Sequence, residues 1–153
     1  MHSLPLFLKL DGQPVLLIGA GEAARAKARL IERAGGVVVD EEDARAGEAR
    51  LAFVALEDAA AAEAMAARLK ARGLLVNVVD RPELCDFTMP AIVDRDPVLI
   101  AVGTGGASAG LAAALRQRNE AQLPARLGEQ ALALKAARGG IRGSDRRDDF
   151  RTD

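Results

Sequence analysis

Pro14-Val15-Leu16-Leu17-Ile18-Gly19-Ala20-Gly21-Glu22-Ala23-Ala24 carries the strongest structural signal in this chain. The first five residues are a short apolar run that stops at a glycine, the pattern of a buried β-strand. From Glu22 to Ala34 strong helix formers follow, with Ala23, Ala24, Ala28, Leu30 and Ile31 available for a packed face. Gly35-Gly36 ends that helix. The turn between strand and helix reads GxGxxA. Gly19 permits the tight bend, and Gly21, lacking a Cβ, lets a pyrophosphate approach the backbone. Ala24 allows the helix to pack close to the strand, and the first helical residues, Glu22 and Ala23, lie where the helix terminus favours phosphate charge. The plain alternative is an ordinary glycine-rich strand-to-helix turn. The strand-helix context favours a nucleotide site.

Working outward, Val37-Val38-Val39 is a second β-branched run ending at Asp40, and Glu41 to Arg50 is polar and alanine-rich, a short helix or loop. Leu51 to Leu56 predicts a third strand and Ala59 to Arg72 a helix stopped by Gly73. Leu74 to Val79 predicts a fourth strand ending at Asp80. This alternation implies an α/β fold with a Rossmann-type parallel sheet. Beyond it the pattern changes. Met89–Val93 and Pro97–Val102, joined by Asp94-Arg95-Asp96, predict a hairpin. Gly103-Thr104-Gly105-Gly106-Ala107-Ser108 is a glycine-rich turn, followed by a helix from about Ala109 to Ala121. Pro124 opens another helix to about Ala137. The expected organisation is a dinucleotide-binding domain over 1–88, a helical region over 89–138 and a disordered, charge-rich tail over 139–153.

Composition narrows the chemistry. Half of the 153 residues are hydrophobic and formal net charge is −1, so a real core is expected and no basic field would gather nucleic acid or an anionic membrane. The apolar N-terminal stretch is too short and too soon interrupted for a signal peptide, and nowhere do 18 apolar residues run together, so no membrane span is expected. Cys85 is the only cysteine, which admits no internal disulfide and suits a reducing cytoplasm. His2 is the only histidine and tyrosine is absent. Histidine-based triads, Cys-His pairs and His-rich metal sites are thereby set aside, no metal ligand set is expected, and a Tyr-Lys proton relay has no tyrosine. Acid-base work falls to carboxylates, hydroxyls, lysine or the thiol.

Four positions are then singled out. Asp40 stands about 20 residues after the glycine turn, where a carboxylate accepts hydrogen bonds from an adenosine ribose and repels a 2′-phosphate, an argument for NAD. It could equally cap the following turn. Asn77 and Asp80 close the fourth strand, and ligands of open α/β sheets bind beyond carboxyl ends. Asp80 is therefore the leading general base, against a turn aspartate that bonds the Arg81-Pro82 backbone. The 103–108 turn is either an anion-binding nest or a linker capped by Ser108. Cys85 reads as a small buried apolar residue more readily than as a nucleophile.

In this order the pieces resemble the precorrin-2 dehydrogenases, which include the N-terminal domain of siroheme synthases. The resemblance rests on Leu4-Pro5-Leu6-Phe7, Gly19-Ala20-Gly21-Glu22, Ala26-Lys27-Ala28-Arg29-Leu30 and Asn77-Val78-Val79-Asp80. It continues through Asp86-Phe87-Thr88-Met89-Pro90-Ala91, Asp94-Arg95-Asp96-Pro97, Val102 to Ser108 and Leu123-Pro124. It implies NAD-dependent oxidation of precorrin-2 to sirohydrochlorin, in many members with insertion of ferrous iron at the same site. It also implies a homodimer built through the region after the Rossmann unit. By that match Asp80 is the acid-base residue, and Asn77, Thr104, Gly105, Gly106 and Ser108 line the substrate side. Arg81, Arg95 and Arg116 are candidate partners for the tetrapyrrole's carboxylates. The chain departs from the family by lacking a strand and helix between Val39 and Leu51, by Ala109 in place of a proline, and by a shorter C-terminal region. Two rival readings fit the same residues: a non-catalytic NAD sensor, and a degenerate subunit that mainly dimerises.

Overall fold

The structure, a computed structural model, describes residues 3–145. It divides into two compact units, Met1–Thr88 and Met89–Asp153. The first holds a four-stranded parallel sheet in the order β2-β1-β3-β4, formed by β1 (Pro14–Gly19), β2 (Val37–Val39), β3 (Leu51–Ala55) and β4 (Leu75–Val78). Helix α1 (Gly21–Arg33) joins β1 to β2, and α2 (Ala59–Ala71) joins β3 to β4. The chain runs outward from β1 to β2, then returns to the other side of β1 to lay down β3. That reversal opens a crevice at the carboxyl ends of β1 and β3.

Local chemistry explains the boundaries. Both helices end in the same glycine device: Gly36 N–H reaches the Ile31 carbonyl and Gly35 N–H that of Glu32 after α1, and Leu74 N–H reaches Leu69 and Gly73 N–H Lys70 after α2. Gly35 and Gly73 sit at φ +80° and +86°, where a Cβ is disfavoured. At its start α2 is capped by Asp58, whose side chain accepts the Ala61 amide at 2.7 Å. Leu16, Ala52, Val54, Val76 and Val78 of the strands pack with Ala62, Ala66 and Leu69 of α2 into the main core. Alanine on the helix face keeps helix and sheet close.

The stretch 40–50 contains no strand and only a single 3₁₀ turn, Ala46–Glu48. It returns the chain directly to β3. A helix there is unfavourable because Asp40 and Asp43 draw the backbone into local side-chain turns: the Asp40 carboxylate accepts the Glu42 and Asp43 amides, and that of Asp43 accepts the Arg45 amide.

The second unit is the predicted hairpin and helices. β5 (Ala91–Arg95) and β6 (Val98–Val102) pair antiparallel with Arg95 opposite Val98, so the bend lies at Asp96-Pro97, and Asp94 pairs with Leu99. The expected turn at Asp94-Arg95-Asp96 is thus shifted, because the strands pair two residues closer to the tip. Helices α3 (Ala109–Gln122) and α4 (Leu127–Asp145) follow. α4 continues through 139–145, into the stretch expected to be a disordered tail. Its backbone hydrogen bonding carries on across Gly139 and Gly140, whose cost for a helix is only about 1 kcal/mol each. The rest of that expected tail, 146–153, lies outside the described residues. Among the described residues no helix is long and apolar enough to cross a membrane.

Candidate active site

The glycine turn is built as the sequence implies. Gly19 has φ +113°, and a Cβ there would collide with the backbone carbonyl of Ala55 on the neighbouring strand. Only glycine fits where β1 and β3 press together. Gly21, at φ +85°, differs: the direction of its missing Cβ is open space. A ligand can therefore approach the backbone there. The residue before α1 is Ala20, which offers no side-chain cap, so the first amides of α1 are left for solvent or an anion.

Glu22 is held differently from the expectation that it faces a cofactor. Its carboxylate pairs with Arg29 at 2.8 Å and Arg25 at 3.0 Å along the exposed side of α1. Hydrogen bonds from Arg29 and then Arg25 hold its carboxyl below the usual range. Only the backbone of Glu22, with that of Ala23, remains to face the turn.

Asp40 is exposed and serves its own loop. One carboxylate oxygen accepts both the Glu42 and the Asp43 amide at 2.9 Å, which is the capping alternative. β2 is also short: Val39 pairs with Leu16, so Asp40 is level with Leu17, two residues below Gly19. That is roughly 7 Å along the strand.

Asp80 stands on the same sheet edge as the glycine turn. Gly19 pairs with Ala55 and Val54 with Val78, and the Val79 amide bonds the Val54 carbonyl at 2.9 Å. Asp80 therefore leaves β4 two strands from Gly19, about 10 Å across the sheet. It is exposed and takes φ +58°, the one left-handed residue other than glycine among those described. Aspartate tolerates this region better than most residues, but at a cost.

Four side chains brace the end of β4 and the Asp80 turn that follows it. The Cys85 sulfur accepts the Val78 amide at 3.1 Å and lies 3.3 Å from the carbonyls of both Val78 and Arg81. One thiol so spans the two residues that flank Val79 and Asp80. Asn77 is only 6 % exposed. Its amide donates to the Phe87 carbonyl at 2.9 Å and toward the Cys85 sulfur at 3.5 Å. The structure thus places Asn77 beneath the loop, not on its open face. The Asp86 carboxylate accepts the Val76 amide at 2.9 Å and pairs with Lys70 at 3.0 Å. Arg81 donates to the Glu57 carbonyl at 3.1 Å. Cys85 and Asp86 act as acceptors for the outer edge of β4 in place of a fifth strand.

Lys27 is the residue that sequence reasoning passed over. Its ammonium lies 5.6 Å from the centre of the Phe53 ring, which meets Phe87 edge-on at 5.5 Å. Burial pushes the Lys27 pKa down, opposed by the nearby Cys85 and Asp80. The signal was available: positions 24, 27, 28 and 31 form one helical stripe, and Lys27 interrupts a face of Ala24, Ala28 and Ile31.

In the second unit the 103–108 turn is a compact loop. The Thr104 hydroxyl donates to the Ser108 carbonyl at 2.9 Å and takes the Ser108 amide at 3.3 Å. Ser108 caps α3 through the Leu111 amide at 3.1 Å. Gly105 and Gly106 have positive φ and are exposed. Of the basic candidates, Arg95 and Arg116 both pair with Glu120.

These features define an α/β protein with a Rossmann-type parallel sheet. Residues 36–91 match a family model described as "Putative NAD(P)-binding". The siroheme synthase of Methylobacillus flagellatus is 39% identical over 155 positions, covering 86% of this chain and 33% of that protein. That of Methylococcus capsulatus is 42% identical over 152 positions, covering 84% of this chain and 32% of that protein. Among solved structures, "SirC, precorrin-2 dehydrogenase" superposes with a TM-score of 0.66 at 18% identity, over 89% of this chain and 79% of that one. The chain belongs to the siroheme synthase family. It spans about a third of the length of the siroheme synthases it matches. Since 86% of 153 residues is about 132, the 155 aligned positions leave the first relative with roughly 23 that this chain lacks.

Proposed function

We propose that this chain catalyses the NAD-dependent oxidation of precorrin-2 to sirohydrochlorin, with Asp80 as the acid-base residue. The observation that carries the reading is the shared edge: the open backbone at Gly21 and the Asp80 carboxylate project from the same end of one parallel sheet. The residues fit a dinucleotide, because the Gly21 cradle is one a Cβ would occupy and the α1 terminus has no side-chain cap. When bound, NAD supplies the hydride acceptor. The chain's own part is to seat the pyrophosphate on the amides of Gly21, Glu22 and Ala23, and to take at the Asp80 carboxylate the proton released as a macrocycle C–H gives up its hydride. The free oxygen of Asp40 is the contact for the adenosine ribose. Thr104, Gly105, Gly106 and Ser108 are the further residues proposed for substrate contact. Ferrous iron would enter as a substrate, the macrocycle providing the nitrogen ligands and Asp80 accepting the pyrrole protons.

The homodimer belongs to the same proposal. Leu99, Leu111, Leu115, Leu132 and Leu134 of the second unit are exposed, apolar surface that a second copy would cover in part. Sedimentation equilibrium should give twice the chain mass, and Leu111→Glu with Leu132→Glu should shift it to the monomer.

The deciding experiment follows sirohydrochlorin formation with NAD for the parent chain and for Asp80→Ala. Turnover by the parent and its loss in the variant, with NAD affinity unchanged, is the expected result. Equal rates would remove Asp80 from the mechanism. NAD affinity without parent turnover would leave a sensor, and no NAD affinity would leave a dimerising subunit.

A further inference from the structure

The three arginines expected to meet the substrate's carboxylates, and two more on α1, are already engaged. Arg81 is bonded to the Glu57 carbonyl, Arg95 and Arg116 share Glu120, and Arg25 and Arg29 share Glu22. Lys27 contrasts with all of them. It is half-buried on the inward stripe of α1, and among the described residues no carboxylate lies within ion-pair distance of it. Its ammonium sits over the Phe53 ring, on the strand between β1 and β4. Phe53 pairs with Asn77, three residues before Asp80. The ammonium is thereby placed on the order of 10 Å from the Asp80 turn, within the span of a tetrapyrrole.

We propose that Lys27 is a substrate-recognition residue, whose ammonium receives a peripheral carboxylate of the tetrapyrrole while Asp80 faces the reacting carbon. This rests on the function proposed above and adds a specificity contact to it. The physical argument is that a lysine held partly out of water without a direct ion pair is less favourable than one left in solvent. A bound carboxylate removes that disadvantage. The aromatic ring beneath it fixes the ammonium's position without neutralising it, so the charge stays available to a ligand. Burial outweighs the opposing pull of the nearby Cys85 and Asp80 on the Lys27 pKa, as expected for a partly desolvated ammonium with no direct ion pair.

The test uses the full chain and purified sirohydrochlorin as the probe, so that binding is read without turnover. Equilibrium titration by absorbance or fluorescence compares the parent with Lys27→Met, Lys27→Gln and Lys27→Arg. Methionine and glutamine should weaken tetrapyrrole binding about tenfold or more, arginine should restore most of it, and NAD affinity should be the same in all four. In turnover the loss should appear in KM for precorrin-2 with kcat little changed. Raising ionic strength should weaken the parent's binding and leave that of Lys27→Met nearly flat. Parent binding matched by both neutral variants would overturn the role of Lys27 and leave the function standing. A parent chain that binds no tetrapyrrole would overturn both.

Discussion

The Cys85 sulfur takes the Val78 amide as a donor at 3.1 Å while lying 3.3 Å from the Val78 carbonyl. A side chain seven residues on has thus replaced a neighbouring strand at the exposed edge of β4. Val78 is almost wholly buried, so removing the acceptor strands a buried N–H, at a cost of about 1–3 kcal/mol. Cys85→Ala should lose stability in that range by urea denaturation. Cys85→Ser should lose less, because the hydroxyl accepts and donates in the same directions with a shorter reach. If alanine and parent unfold at the same urea concentration, the thiol does not hold the turn.

Gly19 and Gly21 separate packing from binding within one motif. At Gly19 a methyl group meets the Ala55 carbonyl, so Gly19→Ala must push β1 from β3 and should lower the melting temperature by several degrees or prevent folding. At Gly21 the methyl enters open space, and the cost is the positive φ alone, about 1–2 kcal/mol. Gly21→Ala should therefore fold and yet bind NAD at least tenfold more weakly, read by titration calorimetry. Normal NAD affinity in folded Gly21→Ala would place the pyrophosphate elsewhere.

How much of this was legible follows from where the information lies. The β-runs at 14–19, 37–39 and 51–55 and both glycine helix stops could be read because apolar periodicity and left-handed glycines are local signals. Asp80 could be placed because the carboxyl end of a strand is fixed by the strand itself. Asn77 could not be read correctly, since its partner is the Phe87 carbonyl ten residues away. Nor could Glu22, whose pairing with Arg29 spans two helical turns and competes with the motif's expectation. The two-residue shortfall of β2 below Gly19 is a matter of register between strands, which no single segment encodes.

Asp80 at φ +58° sets geometry against stability. Glycine enters this region freely, so Asp80→Gly should raise stability by up to about 1 kcal/mol while abolishing turnover. Asparagine shares aspartate's tolerance of left-handed backbone. Asp80→Asn should thus melt with the parent and be equally inactive. Thermal melts beside turnover assays check both. A destabilised glycine variant would mean that the carboxylate supports the turn rather than being borne by it.

Lys27 makes a related statement through its protonation. Burial lowers its folded-state pKa beneath the ordinary 10.5, so the unfolded chain binds the proton more tightly, and the group opposes folding wherever it is charged in both states. That cost is fully present at neutral pH. As pH rises through the folded pKa toward 10.5 the folded chain sheds the proton first, and the disadvantage fades. Lys27→Met keeps the stem over Phe53 without the charge. It should therefore be more stable than the parent at pH 7, with the gain shrinking as pH approaches 10.5, as read from urea midpoints across that range. A gain that stays constant with pH would come from packing, while a loss at pH 7 would mean that the ammonium over the ring stabilises the fold. The expected gain, set beside weaker tetrapyrrole binding by the same variant, would identify a charge that costs the fold stability and serves the ligand.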